Sequence, residues 1–407
     1  AFPSRLEGRD LRAAIMMTTL GTSAVDAEVV FPRAEYDRRL AAVHAEMAAD
    51  GLDGVLVLGP ENMFYLTGYE TIGYSSFQAA VVPAGGEPRL LVRELERDAA
   101  VALSMFAGEP LSYNDDTDPP QALIGLLREM GLDHGRVGFD PSSPALPVRP
   151  YHALTSALPS LSLVPATPVE HARVIKSDLE IACLRQSARY CEAGVDAALG
   201  AIRQGATDNE VAAAASAAIL AAGSEYLTID PIVTTGHRSG IAHTTFHRQR
   251  IGPGDAVLLE MAGSHRRYPG ALMRTAVIGP PSDLARRMYD ACNEGLDRAI
   301  ALMKPGVRGC DVHQACQQVI DDAGFERNFR KRLGYSVGVA FAPDWGEGHI
   351  FHLSRGEERE LRPGMAFHLP PALREYDVVG VGVSETVLVT ETGAEIITNF
   401  PRDLQVR

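Results

Sequence analysis

The sequence predicts an α/β domain over residues 31–168 and an α+β domain over residues 169–407, preceded by an extension of residues 1–30. In the first domain, apolar runs of strand length alternate with amphipathic stretches of helix length, the pattern of a sheet covered by helices. Pro165 and Pro168 then interrupt the chain. Beyond them, strand-like segments stand in groups apart from the helices, which is typical of antiparallel sheets.

Hydrophobic periodicity gives the elements of the first domain. Leu40, Val43 and Met47 recur at helical spacing, and a continuous apolar run of buried-strand type follows them. The pair Gly85-Gly86 indicates a hairpin turn. The expected helices are 33–50, 95–105 and 119–130, and the expected strands are 55–58, 79–82 and 90–92.

The second domain is expected to begin with a long helix that carries its charges on one face. A tight turn at 252–255 leads into an apolar strand, and a partner strand follows it. The expected helices are 172–199, 208–222, 282–303 and 310–323, and the expected strands are 256–262, 274–278, 334–341, 365–369 and 380–390.

The composition favours a soluble, cytoplasmic protein that acts on a small molecule. A formal net charge of −14 argues against nucleic acid or an anionic membrane surface as the partner. The five cysteines are an odd number without a CxxC pair, which indicates reduced thiols. Residues 1–30 carry several charges and only a short apolar stretch, so we expect no secretion signal there. The apolar run 211–222 is too short to cross a bilayer and predicts a buried helix.

A polar loop ahead of the 252–255 turn is the densest cluster of titratable residues. Residues 236–250 contain three histidines and three arginines, including Arg238 and His243. Loops held by a rigid sheet often carry catalytic groups. A basic surface loop explains the same composition, and the sequence alone leaves both interpretations open.

Two glutamates stand among apolar neighbours and should be buried. Glu260 lies within Val257–Ala262, and Glu385 occupies a similar context. Buried carboxylates are rare unless they are paired or functional, so both are candidates for the site. The alternative is a buried ion pair with an arginine such as Arg274. Trp345, the single tryptophan, either covers a ligand or anchors its loop.

Several motifs in order resemble the creatinase/aminopeptidase P/prolidase (M24) family. The matching segments are 174–180, 303–307, 361–365 and 274–279. The resemblance spans residues 31–401 and implies the pita-bread fold for the second domain, with the catalytic site in it.

The resemblance also locates five positions at which metal-dependent members carry two Asp, one His and two Glu. In this chain they are Glu260, Ala271, Tyr335, Pro370 and Glu385. Two carboxylates without a third protein donor are too few for a di-metal centre. We therefore expect neither a metal nor another cofactor.

Two metal-free branches of the family, creatinase and ectoine hydrolase, match best. His243 stands twelve residues before Asp255, as the catalytic histidine of creatinase stands before the Asp of its turn. Segments 260–268, 334–338 and 343–347 are similar to ectoine hydrolase, whereas residues 269–272 differ from the His-Cys-Pro-Leu expected there. The substrate therefore stays open between these classes.

The expected function is metal-independent hydrolysis of a non-peptide C–N bond in an amidine-like, guanidine-like or cyclic nitrogen compound. Such a substrate carries positive charge at the carbon under attack and needs no Lewis acid. The expected roles are nucleophile or base for Glu260, acid/base for His243, charge holder for Glu385, hydrogen-bond donor for Tyr335 and partner of a substrate carboxylate for Arg238. The alternatives are a metal-dependent Xaa-Pro aminopeptidase or prolidase, and a non-catalytic binding module.

The resemblance further implies a homodimer in which one subunit covers the active site of the other. Residues 62–78 are rich in aromatic side chains, and Tyr74 and Phe77 stand among small polar neighbours. We expect these two residues to form the lid, unless they belong to a core cluster. Tyr268 and Trp345 complete the expected substrate-binding set.

Overall fold

A computed structural model describes residues 29–105, 109–143, 145–146 and 148–407. The chain divides into two compact units, and the division falls between Ala166 and Thr167. The expected boundary lay two residues later. Residues 1–28 of the expected extension lie outside the described residues.

The first unit is a mixed sheet with helices, as the alternating pattern predicted. The helices are α1 (Arg33–Asp50), α2 (Pro60–Thr67), α3 (Arg97–Leu103), α4 (Pro119–Glu129) and α5 (Val148–Ala157). The strands are β1 (Gly54–Val57), β2 (Ala79–Pro83), β3 (Arg89–Arg93), β4 (Leu111–Tyr113), β5 (Arg136–Phe139) and β6 (Ser162–Pro165). They form one sheet in the order β4-β3-β2-β1-β5-β6. The antiparallel pairing of β2 with β3 confirms the predicted hairpin.

Phe77 is partly buried against the core of this unit, which includes Leu56 and Leu91. The Tyr113 hydroxyl donates to the Phe77 carbonyl oxygen over 2.6 Å. The core interpretation therefore describes Phe77 better than the lid role that we expected for it. Tyr74 is half-buried and keeps its place as a lid candidate.

The second unit contains five helices within the described chain. They are α6 (Pro168–Arg173), α7 (Asp178–Ala201), α8 (Asp208–Ala221), α9 (Asp283–Leu302) and α10 (Gly309–Asp322). The long helix begins at Asp178 rather than near residue 172. A capping box explains the difference, because the Ser177 side chain accepts from the Glu180 N–H while the Glu180 carboxylate accepts from the Ser177 N–H.

The strands of the second unit form two larger sheets and a separate pair. They are β7 (Ile232–Thr235), β8 (Ala256–His265), β9 (Tyr268–Val277), β10 (Gly334–Ser336), β11 (His352–Leu353), β12 (Ala366–Leu369), β13 (Ala372–Glu375), β14 (Val379–Gly382), β15 (Glu385–Val389), β16 (Ala394–Ile396) and β17 (Gln405–Val406). The sheet orders are β17-β9-β8-β7 and β11-β10-β12-β15-β16, and β13 pairs with β14. The mixed α/β architecture agrees with the predicted fold class.

The two hairpin strands are longer than expected, because their ladder continues to the turn: β8 ends at His265 instead of residue 262, and β9 begins at Tyr268 instead of residue 274. Two further expected strands also differ from the structure. The strand expected at 334–341 stops at Ser336, because the N–H of Val339 donates to the Glu347 carboxylate instead of continuing a ladder. The strand expected at 380–390 splits around Val383 and Ser384, whose N–H groups donate to Pro371 and Met273. In the described part of the chain, no helix is long and apolar enough to cross a membrane.

Candidate active site

A cleft of about 1040 Å³ opens within the second unit, beside the β8–β9 hairpin. Residues from the loop after β7, the coil before β10, the loop after β10 and strand β13 meet around it. Its polar and aromatic lining comprises His243, Glu260, Asn328, Arg330, Lys331, Arg332, Tyr335, Asp344, Trp345, His352, Ser354, Arg374 and Tyr376. His243, Glu260, Tyr335 and Trp345 were expected site residues, and the structure brings these four together.

Glu260 supplies a buried, unpaired carboxylate to the cleft. Its strand, β8, is hydrogen-bonded on both edges, to Ile232 of β7 and to Met273 of β9. The residue is 8% exposed, and its carboxylate has no hydrogen bond or ion pair among the described residues. Burial raises the pKa of Glu260, although Lys331 and Arg374 oppose the increase. Such a carboxylate is suited to accept a proton or attack an electrophile near neutral pH.

Four cationic side chains line the same cleft as the Glu260 carboxylate. Arg330, Lys331 and Arg332 follow each other in the coil before β10, and Arg374 projects from β13. Within the described residues, none of the four has an ion pair, and the Nε atom of Arg374 is buried without a hydrogen-bond partner. Three arginines and one lysine therefore face two carboxylates, those of Glu260 and Asp344.

Of these four cations, Lys331 is the one whose pKa lies nearest to neutral pH. The surrounding protein lowers its pKa to about 8, because desolvation outweighs the attraction of Glu260. The side chain is nevertheless exposed to solvent in the open cleft, and that water limits the effect of desolvation. Lys331 is therefore a cation at neutral pH, available to bind an anionic group.

His243 lies on the loop after β7 and is exposed to the cleft. Its backbone adopts a positive φ of 55°, a conformation that non-glycine residues seldom take outside turns and functional sites. The imidazole is near enough to Glu260 to lower the pKa of that carboxyl when the ring is charged. The pair therefore combines a carboxylate with a proton-exchanging ring.

The aromatic side of the cleft is built by Tyr335 and Trp345. The Trp345 indole N–H donates to the Tyr335 hydroxyl oxygen over 2.6 Å. The indole also packs with Ala262 and Ala271 in one apolar cluster. Trp345 thus anchors its loop and also lines the cleft, and its role in covering a ligand stays a prediction.

A buried ion network holds the loop that carries Asp344 and Trp345. Glu347, 1% exposed, accepts from Arg173 Nη2 over 2.6 Å and from Lys176 Nζ over 2.9 Å. These two cations lower the pKa of Glu347 to about 2 against the opposing effect of burial. The network ties the loop to the segment that precedes α7.

Glu385 does not line the cleft, which corrects its expected role as charge holder. Its carboxylate pairs with Arg274 Nη2 over 2.9 Å and accepts from the Thr398 hydroxyl. The Arg274 guanidinium is fully buried and also donates to four backbone carbonyl oxygens. Burial raises the pKa of Glu385, and the ion pair opposes that increase. The sequence-based alternative, an ion pair with Arg274, is what the structure contains.

Two expected substrate-binding residues also lie outside the lining of the cleft. Arg238 donates from Nη2 to the Thr245 carbonyl oxygen and thereby braces its own loop. The Tyr268 hydroxyl, fully buried, donates to Glu180 Oε1 over 2.9 Å. Both residues therefore support structure, and Lys331 and Arg374 replace Arg238 as candidates for binding a substrate carboxylate.

The donor atoms needed for the metal centre of the family are not assembled here. In the β8–β9 ladder Ala262 is opposite Ala271, so Ala271 shares the sheet face of Glu260 and offers only a methyl group. The described residues contain no group of three or more His, Cys, Asp or Glu side chains with metal-binding geometry. The residues present do not fit a di-metal centre.

Sequence reasoning missed the cationic side of the cleft. The run Arg330-Lys331-Arg332 is visible in the sequence, but a charge run usually indicates a solvated surface. Arg374 comes from a strand more than forty residues away, and His352 from another. Only the fold brings them together with Glu260.

The comparisons with known proteins agree with this architecture. A profile of the metallopeptidase family M24 matches residues 182–391, and a profile of the creatinase/prolidase N-terminal domain matches residues 39–175. The chain is 34% identical to the uncharacterized hydrolase/peptidase y4tL of Sinorhizobium fredii, over 93% of this chain and 98% of that protein. It is 29% identical to the ectoine hydrolase of Halomonas elongata, over 94% of this chain and 100% of that protein. Dipeptidase PepE from Mycobacterium ulcerans superposes with a TM-score of 0.80 at 28% identity, over 92% and 99% of the two chains.

The fold and the cleft thus define a two-domain hydrolase scaffold. The chain belongs to the metallopeptidase family M24 and carries a creatinase/prolidase N-terminal domain. Its relatives include proteins named for peptide substrates and one named for ectoine.

Proposed function

We propose that this protein is a metal-independent hydrolase that cleaves a C–N bond in a small amidine-type or guanidine-type compound bearing a carboxylate. The observation that carries the proposal is the unpaired Glu260 carboxylate in a cleft whose cations also lack ion-pair partners among the described residues. A buried unpaired carboxylate beside cations without ion-pair partners fits a ligand that is itself a zwitterion.

This proposal makes a substrate carboxylate a requirement rather than an option. The sequence-based prediction assigns Glu260 and Glu385 to a cationic substrate and Arg238 to a substrate carboxylate. With Glu385 paired to Arg274, one deep carboxylate and four cations line the cleft. A ligand cation would pair with Glu260, and a ligand carboxylate would pair with Lys331 or Arg374.

The chemistry requires no metal for this substrate class. An amidinium carbon already carries positive charge, so addition of oxygen to it needs no Lewis acid. Glu260 either attacks this carbon or takes a proton from the water that attacks it. His243 then delivers a proton to the departing nitrogen, and water hydrolysis of an amidine yields an amide and an amine. Such roles agree with the similarity to ectoine hydrolase.

The second candidate is a dipeptidase, which similarity to the dipeptidase PepE favours. A dipeptide is also a zwitterion and could pair with the same charges. Its neutral amide carbonyl, however, needs strong polarisation, and the metal ligands that supply it in this family are replaced by Ala271, Tyr335 and Pro370.

One screen distinguishes the two candidates. Purified protein is incubated with ectoine, hydroxyectoine, creatine and an Ala-Pro dipeptide, each with EDTA and each with added Mn²⁺. Turnover of an amidine or guanidine compound that survives EDTA is expected, together with less than one bound transition metal per chain by elemental analysis. Activity confined to the dipeptide and dependent on Mn²⁺ would instead establish the dipeptidase.

A further inference from the structure

Tyr335 stands at the end of a chain of buried polar groups that reaches back to the β8–β9 hairpin. Its hydroxyl oxygen lies 3.0 Å from His368 Nδ1. The other ring nitrogen of His368, Nε2, lies 2.8 Å from the Ser384 hydroxyl oxygen. That oxygen in turn accepts from the Met273 backbone N–H over 2.6 Å. His368 and Ser384 are both fully buried.

His368 is neutral in this environment. Burial, with Lys331 and Arg274 nearby, lowers the pKa of the ring to about 3. A neutral imidazole donates from one nitrogen and accepts at the other, so only two arrangements of the protons exist.

Ser384 decides between these two arrangements. The Ser384 hydroxyl hydrogen has one acceptor among the described residues, His368 Nε2. If Nε2 carried the ring proton, that buried hydroxyl hydrogen would have no acceptor, which is unfavourable. Ser384 therefore donates to Nε2, and the ring proton is on Nδ1, from which it is donated to the Tyr335 hydroxyl oxygen.

The consequence falls on Tyr335. Its oxygen accepts from His368 Nδ1 and from the Trp345 indole N–H, so both of its lone-pair directions are used. Its own O–H has no acceptor among the described residues and can be donated only to a ligand in the cleft that Tyr335 lines.

We propose that Tyr335 is a donor-only group in the cleft, fixed in that state by the positioning residues His368 and Ser384, and that it donates to oxygen at the reacting carbon. The inference rests on the proposed function for its substrate. A donor-only hydroxyl cannot accept from the N–H groups of an amidinium cation. It can bind the oxygen that is added to the carbon, and it therefore acts on turnover more than on substrate binding.

The proton arrangement can be measured without any substrate. Long-range ¹H–¹⁵N spectra of ¹⁵N-histidine-labelled protein, with the His368 signals assigned by their loss in His368→Asn, report which ring nitrogen carries the proton. We expect the Nδ1–H tautomer at neutral pH. Ser384→Ala should shift the Nε2 resonance, because that nitrogen loses the hydrogen bond it accepts. An Nε2–H tautomer in the unaltered protein would overturn the proposal.

Kinetics with ectoine as the probe test the role in turnover. Tyr335→Phe should lower kcat by roughly 10²-fold and change KM little, because one donor to developing charge is removed. A raised KM with unchanged kcat would overturn the proposal, since Tyr335 would then serve ground-state binding.

Two substitutions at His368 separate positioning from packing. His368→Asn keeps an amide donor near the Nδ1 position but leaves a smaller side chain, whereas His368→Leu fills more space and donates nothing. Positioning predicts a higher kcat for the Asn variant, and packing predicts the reverse. Thr386→Val removes a buried hydroxyl on β15 that is not part of this chain of groups, and it serves as the matched control. If ectoine, hydroxyectoine and creatine are all left intact while the Nδ1–H tautomer is found, the proposed function fails and the proton arrangement stands.

Discussion

At the scale of single residues, Glu260 and Glu385 show how similar sequence contexts lead to different roles. Both lie in apolar strands and both are nearly inaccessible to solvent. Glu385 meets Arg274, which lies 111 residues away in the chain, whereas Glu260 meets no cation at ion-pair distance among the described residues. An unpaired carboxylate costs stability and is retained where function requires it.

Glu260→Gln should therefore stabilise the empty protein at neutral pH. The native pKa of Glu260 is raised above its unfolded value, so the native state binds more protons between those two values and stability falls as pH rises through that window. The glutamine side chain does not ionise, so the variant does not lose this stability as the pH rises. We expect a higher melting temperature than that of the unaltered protein at pH 7, and a difference that disappears below the unfolded pKa of glutamate, about 4.3.

Glu385→Gln is the matched control, because it removes a buried carboxylate that is paired. The uncompensated Arg274 should lower the free energy of unfolding by about 3 kcal/mol. Calorimetry of both variants makes the comparison. Equal destabilisation by both substitutions would mean that Glu260 is also a structural charge.

His243→Asn should reduce turnover by roughly 10²–10⁴-fold with little change in substrate affinity, because a proton shuttle is lost while the charged groups remain. His247→Asn changes another exposed histidine of the same loop that does not line the cleft, and it should leave kcat unchanged. Steady-state kinetics of the two variants give the test. An equal loss in both would assign the effect to the loop rather than to an acid/base group.

The sequence predicts those site residues whose own neighbours along the chain are unusual, and it does not predict those that only the fold brings to the cleft. Glu260 is conspicuous because its own neighbours are apolar, and His243 because its loop is rich in histidine and arginine. Arg374 and Lys331 have no comparable local sequence context, because their position beside Glu260 depends on contacts between elements that are distant in the chain. Arg238 and Tyr268 lie outside the lining of the cleft for the same reason, because their side chains donate to Thr245 and Glu180, which the sequence does not reveal.

At the scale of elements, local signals predicted most helices and strands, and tertiary hydrogen bonds decided their ends. The helices over Arg33–Asp50 and Asp208–Ala221 agree with their periodic patterns to within a residue. The long helix starts late because Ser177 and Glu180 cap each other. The break before β15 could not be predicted, because it depends on backbone donation from Ser384 to Met273, which lies on another strand.

The Glu347 network should control both stability and the shape of the loop that carries Trp345. Glu347→Gln removes the carboxylate that Arg173 and Lys176 share and should lower the free energy of unfolding by about 3–5 kcal/mol at neutral pH. The native pKa of about 2 lies below the unfolded value, so the stability that Glu347 contributes is present above the unfolded pKa. It is lost as pH falls toward 2. The difference between variant and unaltered protein should shrink across that acid range.

Denaturant titrations at several pH values measure this difference. Glu395→Gln, which breaks the exposed pair with Arg185, is the control and should cost less than about 1 kcal/mol. A Glu347 variant that matches this control at neutral pH would show that the buried network contributes no net stability.

At the scale of the whole molecule, the net charge is negative, whereas the cleft is lined mainly by cations. A chain of formal charge −14 places Arg330, Lys331, Arg332 and Arg374 around one cleft. The global charge disfavours polyanionic partners, because such partners extend beyond the cleft. A small zwitterion meets only the local field, which is cationic apart from Glu260 and Asp344.

Assembly is the remaining property at this scale, and we expect a homodimer in which one chain completes the cleft of the other. The aromatic segment 62–78 motivates this prediction, and Ile72, two residues before Tyr74, is 92% exposed. A large exposed apolar side chain in such a segment favours a protein interface. Light scattering should give twice the mass of one chain.

Mixed dimers test whether Tyr74 acts across that interface. Tyr74→Ala should impair turnover through the lid, and Glu260→Gln should abolish it in the cleft. When the two variants are unfolded together and refolded, half of the dimers are mixed, and each mixed dimer has one site with both an intact Tyr74 and an intact Glu260. Activity should therefore return to about a quarter of that of the unaltered protein, because closed twofold symmetry pairs each cleft with the other chain. If Tyr74 serves the cleft of its own chain, every site in a mixed dimer carries one defect, and the mixture stays as inactive as its components.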